Sequence, residues 1–197
     1  MLCETVPMPD RLHPGDALLV VDVQNDFCPG GSLAVEGGDQ IVPILNRWIH
    51  RAVDLRIPII FSRDWHPLDH VSFKDKSGPW PPHCVQDTHG AEFHPGLFVP
   101  ESALIVSKAD SIERDSYSAF GGTTLADHLK TLGIRRVWIG GLALDYCVSA
   151  SALDARALGL DVRVLLDATR AVNNAPEEIA RSVKKLESAG ILMAREA

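Results

Sequence analysis

Short unbroken apolar runs alternate along this chain with stretches whose apolar residues recur every three or four positions. Residues 17–21 form a continuous apolar run, the mark of a strand covered on both faces. Ile41, Ile44, Leu45, Trp48, Ile49 and Ala52 then share one face of a helix, with Pro43 near its start, where proline is tolerated. Further strand-like runs lie at 57–61, 104–106, 137–139 and 162–166, the one at 137–139 leading into Gly140 and Gly141. Helical stretches at 124–132, at 145–158 and from Pro176 onward stop at Gly133, Gly159 and near Gly190, residues that commonly end helices. A last short run at 191–193 offers one more strand to the sheet. This alternation predicts a three-layer α/β/α sandwich around a mostly parallel, Rossmann-like sheet of about six strands. No repeat, low-complexity stretch or interdomain linker interrupts the pattern, so residues 1–197 are expected to form one domain, long enough to bury a sizeable core.

One region breaks the alternation. Residues 64–100 are polar and rich in proline and glycine, and they hold His66, His70, His83, His89 and His94, five of the chain's eight histidines. Loops of that length inside a compact domain are usually functional or disordered, and one so rich in Trp, Phe and His is not composed like a disordered segment.

Open parallel sheets place ligands and catalysis beyond the carboxyl ends of their strands. Asp22 follows the first run, Arg63, Asp64, Trp65 and His66 follow the second, and Lys108 follows the third. Cys147 comes after Gly140 and Gly141, where a helix opens, and Asp167 follows the fifth run. A helix start and a nearby lysine both lower a thiol pKa, so Cys147 is a candidate nucleophile; a small buried hydrophobe fits the position equally well. Asp22 reads as a general base or as a turn carboxylate, and Lys108 as its cationic partner or a solvated strand-end lysine. Asp64 and His66, two apart on an extended segment, face the same way; with one more histidine they make a donor set suited to a divalent metal, although histidines in polar loops more often serve as simple hydrogen-bonding groups.

Composition narrows the classes. A formal net charge of -7 lacks the basic footprint of a nucleic-acid binder. No apolar run approaches the roughly 20 residues that span a bilayer, and the first residues hold no signal-peptide core, so a cytoplasmic protein that does not engage membranes is expected. The four cysteines, Cys3, Cys28, Cys84 and Cys147, form neither a CxxC pair nor a zinc-finger spacing and read as reduced thiols. No GxGxxG follows the first run, which argues against a dehydrogenase.

Four blocks carry a resemblance that extends from about Ala17 to Met193. They are residues 21–33 (VDVQNDFCPGGSL), 64–73 (DWHPLDHVSF), 80–85 (WPPHCV) and 141–148 (GLALDYCV). With these blocks the chain resembles the nicotinamidases of the isochorismatase-like cysteine hydrolase superfamily; the first and last mark the superfamily, and the two histidine-bearing blocks single out the nicotinamidases. The resemblance implies the isochorismatase-like hydrolase fold and hydrolysis of nicotinamide to nicotinate and ammonia, with pyrazinamide as a further substrate. It implies Asp22, Lys108 and Cys147 as the catalytic triad and Asp64, His66 and His83 as ligands to one divalent metal ion, zinc first, with iron or manganese as alternatives. It also implies an aromatic-substrate pocket lined by Phe27, Leu33, Trp80, Leu142, Ala143 and Tyr117, and a cis peptide between Leu142 and Ala143 beside an oxyanion hole made by the N–H groups of Ala143 and Cys147. His70 stays open between a ligand and a residue that supports one, Cys28 and Cys84 are taken as structural neighbours of the site, and a homo-oligomer stays open. Leu144 stands where many relatives have threonine, which touches packing rather than chemistry. Two rival readings share parts of this pattern: a hydrolase of ureido or carbamoyl compounds, which needs the triad but not the metal set, and an idle metal-stabilised binding protein.

Overall fold

The computed structural model of the chain describes residues 11–196; Cys3 and most of the N-terminal segment considered above lie outside the described residues. Six strands form one sheet: β1 (Asp16–Val21), β2 (Ile59–Asp64), β3 (Leu104–Lys108), β4 (Arg136–Leu142), β5 (Asp161–Arg170) and β6 (Leu192–Ala194). Four α-helices accompany them: α1 (Val42–Asp54), α2 (Leu125–Thr131), α3 (Ser149–Ala157) and α4 (Pro176–Ser188). Every strand pair is parallel, and the order is β3-β2-β1-β4-β5-β6. The chain winds outward from β1 in one direction and from β4 in the other. The crevice beyond the carboxyl ends of β1 and β4 is therefore the switch point where such sheets bind ligands.

Both faces of the sheet are covered, which is why its strands read as unbroken apolar runs rather than alternating ones. Leu18 and Val20 of β1 point to one side, where Leu45, Trp48, Ile49 and Ala52 of α1 meet them. Ala17, Leu19 and Val21 point to the other, against Leu125 and Leu129 of α2, Ala152 and Ala155 of α3, and Leu186 of α4. Each large aliphatic side chain buried in this way contributes roughly 1.5–3 kcal/mol. Among the described residues, no helix is long and apolar enough to cross a membrane.

Several boundaries differ from the sequence-based expectation; β3 runs on to Lys108 and β4 to Leu142. β2 starts at Ile59 rather than residue 57, because the Ile57 N–H closes the end of α1 on the Ala52 carbonyl and Pro58 has no N–H for the ladder. The strand runs on to Asp64, its last residue, which pairs with Lys108 of β3. β5 continues to Arg170, and its register with β4 shifts between Ile139 and Gly141. Asp167 thus lies inside the strand, where its Oδ2 accepts the Glu196 N–H at 2.8 Å, and it does not join the catalytic edge. The segment after β4 opens as one π-helical turn, Leu144–Val148, before α3 begins.

Gly141 marks the closest approach of strands at the switch point. Its φ of 122° suits glycine, and a β-carbon there would collide with the Val21 carbonyl oxygen.

Candidate active site and metal centre

The four strand ends bring together the residues that the sequence placed there. Asp22 follows β1, Asp64 ends β2, Lys108 ends β3, and Cys147 sits in the π-helical turn after β4. All four are buried, Lys108 at 1% exposure and Asp22 at 0%. The Lys108 ammonium lies at the centre: 2.9 Å from Asp22 Oδ2, 3.5 Å from Cys147 Sγ, and in short contact with Asp64 Oδ1. It also donates to the Ser116 carbonyl at 3.2 Å. Asp22 is held by the Ser62 hydroxyl, which donates to Oδ1 at 2.6 Å, while Oδ2 makes no aligned hydrogen bond. A carboxylate oxygen of Asp22, one of Asp64 and the Cys147 sulfur all lie within 4.8 Å of one another. That trio surrounds the ammonium, so its charge is already answered by Lys108.

Burial raises the Asp22 pKa above the ordinary aspartate value, against the pull of Lys108. For Lys108 burial works the other way, yet Asp22 and Asp64 hold its pKa well above the ordinary lysine value. Asp64 is pushed down: burial opposes its charge, but Lys108 and His66 outweigh that. Cys147 is raised well above the ordinary thiol value by burial, which Lys108 counters and the two carboxylates reinforce. Lys108 does act to lower this pKa, as the sequence suggested, but burial and the two carboxylates outweigh it, so the attack calls for a base beside the sulfur.

Asp64 faces a second set of donors through its other oxygen. His66 Nε2 lies 3.7 Å from Asp64 Oδ2 and His83 Nε2 lies 4.0 Å from it. Ligand atoms of Asp64, His66 and His83 all fall within 4.8 Å of one another. The Pro81 carbonyl, 2.8 Å from His83 Nδ1, can only accept, so Nδ1 carries the proton and the Nε2 lone pair faces inward. Burial lowers the His83 pKa, favouring the neutral, ligating form. His66 is buried with neither ring nitrogen hydrogen-bonded. Orphaned buried nitrogens are costly in a native protein, and a divalent ion shared with Asp64 and His83 would satisfy one of them.

His70 is placed differently. Its Nδ1 lies 2.7 Å from the Ser72 hydroxyl and its Nε2 lies 3.0 Å from the Arg114 carbonyl, so both nitrogens are engaged. Its ring packs on His66 with centroids 4.2 Å apart. It buttresses that histidine and has no lone pair to offer an ion.

The long loop is held in shape by residues of the 21–33 block whose individual roles the sequence did not disclose. Gln24 accepts the Asp64 N–H and donates to the Asp64 and Ala91 carbonyls, each at 2.8 or 2.9 Å. Asp26 Oδ2 accepts the Cys84 N–H at 2.7 Å, fixing the backbone next to His83. Cys84 and Cys28 are buried free thiols, and burial pushes Cys28 up to about 11.

Cys147, Asp64, His66 and His83 open on one cavity. Phe27, Leu33, Trp80, Leu142, Ala143 and Tyr117, the pocket residues implied by the resemblance, all line it. The Leu142–Ala143 peptide is cis. The Trp80 indole donates to the Tyr117 hydroxyl at 3.0 Å. Val35, Tyr146 and Val172 line the same cavity and were not anticipated. Tyr146 adjoins Cys147 in the motif and was therefore within reach of the sequence. Val172 reaches the pocket only through the path of the loop after β5, which leaves no signal in the sequence.

A doubly wound parallel sheet with a buried cysteine, carboxylate and lysine at its switch point has the parts of a cysteine hydrolase. The isochorismatase domain model matches residues 16–196, and the chain belongs to that family. The nicotinamidase of Acinetobacter baylyi is 40% identical over 206 residues, covering 90% of this chain and 94% of its own. The pyrazinamidase of Pyrococcus horikoshii, solved in complex with zinc, superposes with a TM-score of 0.89 at 45% identity, over 93% of this chain and all of its own. The L. infantum protein PnC1, solved in complex with nicotinate, superposes with a TM-score of 0.83 at 38% identity, over 91% and 92% of the two chains.

Proposed function

We propose that this chain is a metal-dependent nicotinamidase, a cysteine hydrolase that converts nicotinamide to nicotinate and ammonia and also accepts pyrazinamide. One observation carries the reading: a thiol with its own base and cation shares a cavity with three converging metal-donor side chains, one of which, His66, has neither ring nitrogen hydrogen-bonded. The sulfur, Asp22 and Lys108 do the chemistry. Asp64, His66 and His83 would hold a divalent ion, zinc by analogy with the Pyrococcus protein, which would supply a Lewis acid for orienting the pyridine ring.

Asp22 takes the Cys147 proton as the sulfur attacks the carboxamide carbon, and Lys108 offsets the charge that develops between them. The N–H groups of Ala143 and Cys147 receive the oxyanion; loss of one such donor costs about 2.7–4 kcal/mol. Asp22 returns the proton to the leaving ammonia, then draws one from the water that cleaves the thioester and regenerates the thiol. A raised Asp22 pKa suits a group that must both take and give a proton. The free buried thiols fit a reducing, cytoplasmic setting.

The test is product formation from a panel of nicotinamide, pyrazinamide, and ureido and carbamoyl compounds. Nicotinate from nicotinamide at the highest kcat/KM supports the reading. Preference for a ureido or carbamoyl compound, with nicotinamide untouched, overturns it.

A further inference from the structure

Asp145 stands two residues before Cys147, in the same π-helical turn, and its carboxylate takes no part in the chemistry above. It reaches across to the loop that follows β5. Oδ1 accepts the Val172 N–H at 2.9 Å and Oδ2 accepts the Asn173 N–H at 3.0 Å. Charge-assisted hydrogen bonds of this kind are the strong class, and a two-pronged pair also fixes direction. Within the loop, Asn173 Oδ1 accepts the Ala175 N–H at 3.1 Å. On its far side, the Asn174 amide donates to Glu36 Oε2 at 3.1 Å, next to the pocket residue Val35.

Val172 is the part of this loop that lines the cavity. It is 42% exposed, so it forms rim rather than floor. Its backbone N–H is one of the two that Asp145 holds. The floor residues Phe27, Leu142 and Ala143 are buried and tightly packed, whereas the rim can be widened.

We propose that Asp145 is a positioning residue that sets the pocket's tolerance for substituted aromatic amides, by clamping Val172 at the rim from the turn that carries the nucleophile. The amides accepted are those whose ring edge fits under Val172. This deepens the nicotinamidase reading and rests on it for the identity of the substrate ring.

Two measurements on the full-length, metal-loaded protein test it, using Asp145→Ala and, separately, Val172→Ala. The first is amide hydrogen exchange across residues 171–175, which needs no substrate. The second is kcat and KM for nicotinamide and for nicotinamides methylated in turn at each free ring carbon. The clamp predicts faster exchange at Val172 and Asn173 in Asp145→Ala. It also predicts that both variants gain on the same methylated amide relative to the parent, by roughly tenfold in kcat/KM, the scale of one methyl group in an apolar pocket. That gain falls mainly in KM. A merely structural role for Asp145 would lower kcat for every amide alike and leave their ratios unchanged. Unchanged exchange, or unchanged ratios in both variants, overturns the proposal. Wild-type turnover of nicotinamide is recorded in the same series; its absence would refute the nicotinamidase reading, while the exchange result still decides the clamp.

Discussion

Lys108→Met removes the one cation between Asp22, Asp64 and Cys147 and keeps the side chain's length. In the wild type the ammonium sits 3.5 Å from the sulfur that must become a thiolate. At an effective dielectric constant of about 20, a charge pair at that distance is worth roughly 5 kcal/mol, or some 3 pKa units on the thiol. Burial already raises that thiol. Without the lysine its thiolate should leave the measurable range, and kcat/KM should fall by roughly a thousandfold or more. Two buried carboxylates also lose their partner, which costs about 3–5 kcal/mol of stability. The assay is an ultraviolet thiolate titration of the wild type and the variant, with turnover, denaturant midpoint and metal content measured on the same preparations. Metal content separates loss of the cation from loss of the ion. A variant whose Cys147 titration does not move upward, and whose turnover stays within tenfold of wild type, would refute the role given to Lys108.

Cys147→Ala should lose at least about a thousandfold in turnover while keeping its metal and its affinity for nicotinamide, as read by calorimetry; turnover near wild type would remove the cysteine from the mechanism. The pH profile of kcat/KM should show a rising acid limb, because Asp22 must be ionised to accept the thiol proton. Its apparent pKa should lie above the ordinary aspartate value of 3.8, the sign set by burial, and a limb centred at or below 3.8 would contradict the raised pKa. Gly141→Ala should destabilise the fold by at least about 2 kcal/mol in urea unfolding, since its β-carbon meets the Val21 carbonyl at a positive φ. An unchanged midpoint would show that β1 and β4 are free to part there.

Much of this was legible in the sequence because strands buried on both faces leave continuous apolar runs, and residues just past such runs fall on one edge. Asp22, Lys108 and Cys147 could be placed by that logic alone, although their roles could not. Asp167 was misplaced because β5 bulges where Val164 to Thr169 spans Ile139 to Gly141 of β4, and such a pairing irregularity is a tertiary effect that leaves no mark in the apolar pattern. The net rise of the Cys147 pKa was hidden for a similar reason. Helix start and lysine were visible in the sequence, but the two carboxylates that close around the ammonium come from strands about 40 residues apart. His70 could not be told from a ligand until the Arg114 carbonyl, from a distant loop, was found on its second nitrogen. The Val172 N–H donates to Asp145 on another element, and a loop's path depends on such partners rather than on its own pattern.

The central claim is that a cysteine site and a metal site act on one nicotinamide in one cavity. Ammonia release from nicotinamide by the purified protein, measured as isolated, after chelation and after metal is restored, tests it most directly. Release should fall on chelation and return with a divalent ion. Release that is indifferent to chelation once the ion is shown to be gone, or no release from the fully loaded protein, would contradict it.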